Sequence, residues 1–179
     1  IDIDCVKQML SVNLLFKYNL LNNIRMVVVI GDGYGFMTAL IKKCCPESTV
    51  ISVNLGKTLF FDVFYTRKAF PEARVFLLTE SNQKDIFQQS EIIFLEAEKY
   101  QLLSSLPVNL FINIASMQEM DMEVIKTYFT IMRSSTVESY FYCCNRLEKR
   151  LPDGSVIKFF DYPWDNKDTI IVDELCPWY

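Results

Sequence analysis

Three of the chain's five glycines lie close together, at Gly31, Gly33 and Gly35. They follow the β-branched run Val27 to Ile30 and precede a stretch with helical character. Glycine adopts positive φ angles and lets the backbone approach another group closely, because it has no Cβ. Three glycines at one strand-to-helix turn therefore predict that another group lies against this turn.

Three interpretations of the turn compete. A tight turn without a ligand needs fewer than three glycines. A dinucleotide site of the G-x-G-x-x-G/A type needs a small residue at its third position for close helix–strand packing, and Phe36 occupies that position. The third interpretation is a ligand-binding turn of the G-x-G-x-G type, which the three glycines match. No G-x-x-x-x-G-K-[ST] segment is present, which excludes a phosphate-binding ATPase loop.

The composition is that of a globular domain with a sizeable core. The chain has 179 residues, of which 51% are hydrophobic, and its net charge is −4. No block of Lys or Arg stands out, so we expect neither nucleic acid nor an anionic membrane surface as a partner. Apolar runs such as Met26 to Ile30 are too short to span a bilayer, and we expect a soluble protein.

The cysteines are typical of buried thiols rather than ligands. Six cysteines occur without any C-x-x-C spacing, and the chain has no histidine, so we expect no metal site. No signal peptide is evident, which favours the reducing cytoplasm. The sequence opens on Ile1 rather than Met, and we therefore expect a fragment of a longer chain.

The elements that position the glycine turn alternate between strands and helices. Helices are expected at 4–22, 36–45, 57–70 and 121–133, and strands at 27–30, 49–55, 73–79, 91–96, 108–116 and 138–145. The tail segments 157–164 and 169–178 suggest two short strands or a hairpin. Alternation predicts one α/β domain, with a parallel sheet covered on both faces, an N-terminal helical extension at 1–23 and a core at 24–179. A ligand would bind at the carboxyl ends of the strands.

Several segments resemble the class I S-adenosylmethionine-dependent methyltransferases. The G-x-G-x-G turn resembles their motif I, and "EIIFLEAEKYQLLSSLPVNLFINIASMQEM" is similar to their segment from the adenine-contacting strand to the strand beneath the active site. More specifically, "NLFINIASMQEMD", "YFYCCNRLEKRLPDG" and "DYPW" resemble the bacterial sugar O-methyltransferase family. The resemblance covers nearly all of residues 24–179. It implies a Rossmann-like methyltransferase sheet and S-adenosylmethionine as cofactor.

The resemblance also implies where the cofactor is bound. Asn54 ends the second strand, where the superfamily has a residue for the ribose hydroxyls. Neutral residues stand at Val29, Asn54 and Asn109, where acidic residues are frequent in the superfamily. The implied cofactor residues are Gly31, Asp32, Gly33, Tyr34, Gly35, Phe36, Asn54, Leu55, Glu96, Ala97, Asn113, Ala115 and Ser116.

Glu119 and Asp121 are the candidate catalytic carboxylates. Ser116 and Glu119 also fit a capping box, S-x-x-E, and Asp121 could equally be the N-cap of the following helix. Five residues in the second half of the chain are candidates for binding the substrate. Asn145 and Arg146 could equally be solvated surface residues, and Tyr162 and Trp164 could belong to an aromatic core. The five candidates are Gln118, Asn145, Arg146, Tyr162 and Trp164.

The function implied by the resemblance is methyl transfer from S-adenosylmethionine to a sugar hydroxyl, in the enzyme class EC 2.1.1. The acceptor would be a sugar, a nucleotide-sugar or a glycan. Two alternatives stay open: a catalytically silent homologue that acts as a binding module, and a nucleotide-sugar- or NAD-binding protein of the same fold.

Overall fold

A six-stranded sheet forms the centre of the protein in a computed structural model, which describes residues 2–81, 86–87, 89–104 and 106–178. Its strands are β1 Met26–Ile30, β2 Thr49–Asn54, β3 Val75–Leu77, β4 Ile92–Glu96, β5 Leu110–Ile114 and β6 Tyr140–Cys144. The strand order is β3-β4-β2-β1-β5-β6, and every neighbouring pair is parallel. The predicted Rossmann-like α/β class is confirmed.

Helices cover both faces of the sheet. They are α1 Ile3–Lys17, α2 Phe36–Cys44, α3 Gly56–Ala69 and α4 Met122–Arg133. Successive side chains of a strand point to opposite faces, and β1 is buried along its whole length. Val27 and Val29 accordingly pack in the cluster of α1 and α2, whereas Val28 and Ile30 pack in the cluster of α4.

The first helix is shorter than predicted. Asp2 begins it, since the Asp2 carboxylate accepts a hydrogen bond from the backbone N–H of Asp4. The helix ends at Lys17 rather than near residue 22, because Asn19, directly after the C-cap residue Tyr18, adopts a positive φ angle of 58°. Asn23, further along, has a φ angle of 55°. Left-handed residues interrupt a right-handed helix, although Leu21 in this turn still packs in the core.

The hairpin expected in the tail lies earlier in the chain, so the prediction of strands at 157–164 and 169–178 is wrong in position. Strands β7 Glu148–Arg150 and β8 Val156–Lys158 form an antiparallel pair. After residue 158, the described part of the chain contains no strand. In this tail the side chains of Asp165 and Asp168 accept backbone N–H groups, a pattern that favours turns.

The structure also bears on three other expectations. Segment 73–79 yields only the short edge strand β3, which pairs with β4 alone. All six cysteines are free thiols; Cys45 and Cys144 are buried and the other four are half-buried. Within the described residues, no helix is both long enough and apolar enough to cross a bilayer.

Candidate functional site

The carboxyl edge of the sheet gathers most of the candidate residues. Strand β1 lies between β2 and β5, and the chain leaves its carboxyl end through the glycine turn. The connections on the two sides of β1 run to opposite halves of the sheet. This makes β1 and β5 the topological switch point, where open parallel sheets bind ligands.

Two of the three glycines in the turn are required by the protein's own packing. Gly31 has a φ of 73°, and a Cβ there would lie 2.2 Å from the Ser116 Oγ. Gly35 has a φ of 76°, and a Cβ there would lie 2.8 Å from the backbone oxygen of Asp62 in α3. At these two positions, the group that lies against the turn belongs to the same chain.

Gly33 differs from its neighbours because its open side faces no protein atom. It has a φ of 83°, and no heavy atom lies within 4 Å of the place where its Cβ would be. The next residue, Tyr34, is 70% exposed, and its ring contacts Phe61 with a centroid separation of 5.9 Å. Gly33 is therefore the part of the turn that can be approached from outside.

Asp32 is directed at the start of α2 rather than at open space. Its carboxylate oxygens accept hydrogen bonds from the backbone N–H groups of Met37 at 2.9 Å and Thr38 at 2.7 Å. The N-cap position itself is held by Gly35, which has no side chain to do this. Burial raises the pKa of the Asp32 carboxyl, and these hydrogen bonds oppose the rise.

Asn54 is directed inward, onto a carboxyl that the sequence analysis did not identify. Its Nδ2 donates to Asp62 Oδ2 at 3.1 Å, and its Oδ1 accepts from the Leu55 N–H at 3.0 Å. Ser52 Oγ also donates to Asp62 Oδ2, at 2.8 Å. Both side-chain groups of Asn54 thus have partners within the protein.

Asp62 is fully buried in the interface between α3 and β2. Its second oxygen, Oδ1, has no hydrogen-bond partner. Burial, followed by the nearby charge of Asp32, raises the pKa of Asp62 to about 6. A signal was present in the sequence: Asp62 shares the helical spacing of Leu59 and Thr66, which also face inward.

The end of β4 adds a carboxylate close to the start of α3. Glu96 Oε1 lies 4.0 Å from where a Cβ at Gly56 would be, and Glu96 Oε2 pairs with Lys99 at 2.7 Å. Leu55 is 61% exposed at the end of β2, and Ala97 begins a 3₁₀ helix, Ala97–Leu103. Leu55, Glu96 and Ala97 therefore lie at one edge, beside the turn.

The end of β5 is fastened to β1 by a buried amide. Asn113 Nδ2 donates to the Ile30 carbonyl at 3.0 Å and to Ser116 Oγ, which itself donates to the Ile30 carbonyl at 3.0 Å. The side-chain Oδ1 of Asn113 accepts from the Met117 N–H at 3.1 Å. Between these residues Ala115 adopts a φ of 58°, which is costly for a residue with a Cβ.

The same network continues to β6. Asn145 Nδ2 donates to Asn113 Oδ1 at 2.8 Å, and Asn145 Oδ1 accepts from the Gln118 N–H at 3.1 Å. Gln118 Oε1 in turn accepts from the Arg146 N–H at 2.8 Å. These amides hold three strand ends together, and the exposed side chain of Arg146 remains at the rim.

Asn109 lies at the opposite edge of the sheet from this network. Its Oδ1 accepts hydrogen bonds from the N–H groups of Arg25 at 3.0 Å and Met26 at 3.1 Å. Asn109 therefore joins the amino ends of β1 and β5, and its neutral side chain has no bearing on a ligand at the carboxyl edge.

Glu119 faces a groove under the hairpin. Its Oε1 lies 3.4 Å from Lys149 Nζ of β7. The groove has a volume of about 690 Å³ and is lined by Glu119, Lys149, Arg150, Leu151, Pro152 and Asp153.

Ser116 makes no side-chain capping bond to the 3₁₀ helix Met117–Glu119, so the capping-box interpretation is wrong. Asp121 occupies the N-cap position of α4, likewise without a side-chain capping bond.

Tyr162 and Trp164 belong to an aromatic cluster. Tyr162 is only 3% exposed, and Trp164 donates its Nε1–H to the Phe159 carbonyl at 2.9 Å. Both rings pack around Phe129 of α4, with centroid separations of 6.3 and 4.9 Å. The aromatic-core alternative describes Tyr162, whereas Trp164 packs in the same cluster but is 40% exposed.

A second, much smaller cavity borders the glycine turn. Its volume is about 20 Å³, and its lining residues are Gln8, Val29, Ile30, Gly31, Asp32, Met37, Ile112 and Ile114. Gln8 comes from α1, for which the sequence predicts only an N-terminal helical extension. The Oε1 atom of Gln8 is buried without a hydrogen-bond partner.

Comparisons with known proteins give structural matches only. No family model matches the sequence, and no curated protein matches it. One matching structure is the pyocyanin biosynthetic protein PhzM, with 10% identity, 64% of this chain and 29% of that chain covered, and a TM-score of 0.41. Another is geranyl diphosphate C-methyltransferase from Streptomyces coelicolor A3(2), with 13% identity, 79% and 42% coverage, and a TM-score of 0.43. This chain spans less than half the length of either protein.

Proposed function

We propose that the protein binds S-adenosylmethionine at the glycine turn and transfers its methyl group to a hydroxyl of a sugar acceptor. The observation that carries the proposal is Gly33. It has a positive φ and an open side free of protein atoms, and it follows the strand at the switch point of a parallel sheet. The resemblance of the turn to methyltransferase motif I supports the same ligand.

The adenosine part of the cofactor would lie along the ends of β2 and β4. Leu55 offers exposed apolar surface there, and Glu96 offers carboxylate oxygens that accept hydrogen bonds from hydroxyl or amino groups. Asn54 already donates to Asp62 and accepts from the Leu55 N–H. We therefore propose Glu96, rather than Asn54, as the main polar contact of the adenosine.

The acceptor sugar would lie in the groove beside Glu119. The groove carries carboxylates at Glu119 and Asp153 and cations at Lys149 and Arg150, so it offers both acceptors and donors to a polyhydroxylated ligand. When bound, the cofactor supplies a methyl group activated by a positively charged sulfur. Glu119 would take the proton of the acceptor hydroxyl as the hydroxyl oxygen bonds to the methyl carbon and the bond from that carbon to sulfur breaks, which would leave S-adenosylhomocysteine. The groove walls would hold that oxygen in line.

A binding module without turnover is the second candidate. It is favoured by one observation: the polar side chains of Asp32, Asn54 and Asn113 are all engaged within the protein. A protein of this kind would bind the cofactor but methylate no acceptor. Release of S-adenosylhomocysteine in the presence of sugar acceptors separates it from the enzyme.

The test of cofactor binding uses Gly33 and a matched glycine. Titration calorimetry with S-adenosylhomocysteine should give binding to the unaltered protein, and Gly33→Val should abolish it because the branched side chain fills the open space. Gly154→Val is the control, because Gly154 also has a positive φ, of 90°, and open space around its Cβ position, but it lies in the hairpin turn. Binding of NAD without any response to S-adenosylhomocysteine would overturn the proposal.

A further inference from the structure

We propose that α1 completes the cofactor site, with Gln8 Oε1 accepting a hydrogen bond from a primary ammonium group bound in the small cavity beside Gly31. The inference rests on the proposed function, in which that ammonium is the amino group at the methionine end of the cofactor. It gives the N-terminal helix a ligand-binding role and assigns a residue to it.

The first observation is the state of Gln8 itself. Its Oε1 is buried and has no hydrogen-bond partner. Burying a polar atom without a partner destabilises the folded protein. Gln8 also precedes Val12 by four residues, which places the two on the same face of α1. Val12 packs in the core with Val27 and Val29, so Gln8 occupies a position where an apolar residue would be expected.

The second observation is the size and chemistry of the cavity. A volume of about 20 Å³ holds one water-sized group, and an ammonium group is of this size. The polar side chains at the cavity are Gln8 and Asp32, and the other side chains that line it are apolar. Both carboxylate oxygens of Asp32 already accept backbone N–H groups of α2, so Gln8 Oε1 is the acceptor at the cavity that lacks a donor. Such an acceptor favours a group that only donates, as an ammonium does, over a carboxylate, which only accepts.

The third observation is that α1 is held in place independently of the cavity. Leu15 packs in the core, and Ser11 Oγ accepts a hydrogen bond from Tyr142 Oη of β6 at 3.1 Å. A helix fixed in this way presents Gln8 at a constant position beside Gly31. No movement of α1 is needed for Oε1 to meet a group at the turn.

The experiment compares two substitutions on α1 and two ligands. Gln8→Leu removes the acceptor at similar volume, and Asn13→Leu makes the same kind of change at an exposed position of the same helix. Affinity is measured by calorimetry for S-adenosylhomocysteine and for its analogue without the amino group. Gln8→Leu should weaken binding of S-adenosylhomocysteine by about 10- to 100-fold, as expected for a hydrogen bond to a charged group. It should leave the affinity for the analogue unchanged, and Asn13→Leu should alter neither.

A second measurement excludes a purely structural role. Gln8→Leu should raise the Tm of the ligand-free protein, because it removes an unpartnered buried oxygen. Equal losses of affinity for both ligands, or no loss for either, would overturn the inference while leaving the proposed function intact. Failure of the unaltered protein to bind S-adenosylhomocysteine at all would instead overturn the proposed function.

Discussion

The side chain of Asn54 donates a hydrogen bond to the carboxylate of Asp62 over 3.1 Å, and both side chains are buried. The bond joins the carboxyl end of β2 to the middle of α3. The glycine turn lies next to this bond, because Gly35 packs against the backbone of Asp62. A residue expected to hold the ribose therefore has a structural task, and its substitution should affect stability first.

We expect Asn54→Asp to destabilise the protein at neutral pH. The substitution places a second carboxylate within hydrogen-bond distance of Asp62 in a buried site, and an unpaired buried charge costs about 3–5 kcal/mol. The exchange Asn54→Asp/Asp62→Asn restores one amide and one carboxylate, so it should recover most of the loss. Urea unfolding measures both free energies. A double variant no more stable than Asn54→Asp would show that the two side chains do not interact as described.

The pH dependence of stability should report Asp62. Its pKa rises from 3.8 to about 6 on folding, mainly because it is buried. The folded state then binds more protons than the unfolded state between these values, so stability falls as the pH rises through this range. The free energy of unfolding should fall, relative to that of Asp62→Asn, by about 3 kcal/mol once the pH is above about 7. Asp32, whose pKa is also raised, is present in both proteins, so the difference between their Tm–pH curves reports Asp62 together with its charge interaction with Asp32. Parallel curves would contradict the prediction.

The strand and helix pattern could be predicted because hydrophobic periodicity decides it. The parallel sheet and its helices follow from segments such as Val27 to Ile30, which is buried on both faces. Strand β7, Glu148–Arg150, consists of charged residues only, so hydrophobic periodicity does not predict it. The turn residues Pro152, Asp153 and Gly154, which join it to β8, were the usable signal.

The site was less predictable because its residues contact residues that are far away in the sequence. The sequence indicated a ligand at all three glycines of the turn. Two of them instead accommodate Ser116 and Asp62, which are far away in the chain. Similarly, Asn113 and Asn145 were expected to bind ligands, yet they bind each other. Spacing along a chain cannot reveal such pairings before the topology is known.

Alanine substitutions should separate the three glycines by their effect on stability. Gly33→Ala should cost only the strain of a positive φ, about 1–2 kcal/mol. Gly31→Ala and Gly35→Ala should cost more, because their Cβ atoms would lie 2.2 Å from Ser116 Oγ and 2.8 Å from the Asp62 backbone oxygen. Adding Ser116→Gly should recover part of the loss in Gly31→Ala but none in Gly35→Ala. Equal losses of stability for the three alanine variants, measured by thermal unfolding, would contradict this account.

Replacing Glu119 by Gln should separate catalysis from structure. The Glu119 side chain is 59% exposed and its described ion pair is with Lys149, so the substitution should leave the Tm and the cofactor affinity almost unchanged. If Glu119 takes the acceptor proton, kcat should fall by roughly 10²–10⁴, the range usual for a general base. Glu123→Gln is the matched control, because Glu123 is also exposed and pairs with Lys126 at 2.7 Å on α4. Both variants are assayed for S-adenosylhomocysteine release with a panel of sugar and nucleotide-sugar acceptors. Turnover by Glu119→Gln equal to that of Glu123→Gln would remove Glu119 from the chemistry and leave Asp121 as the next carboxylate to test.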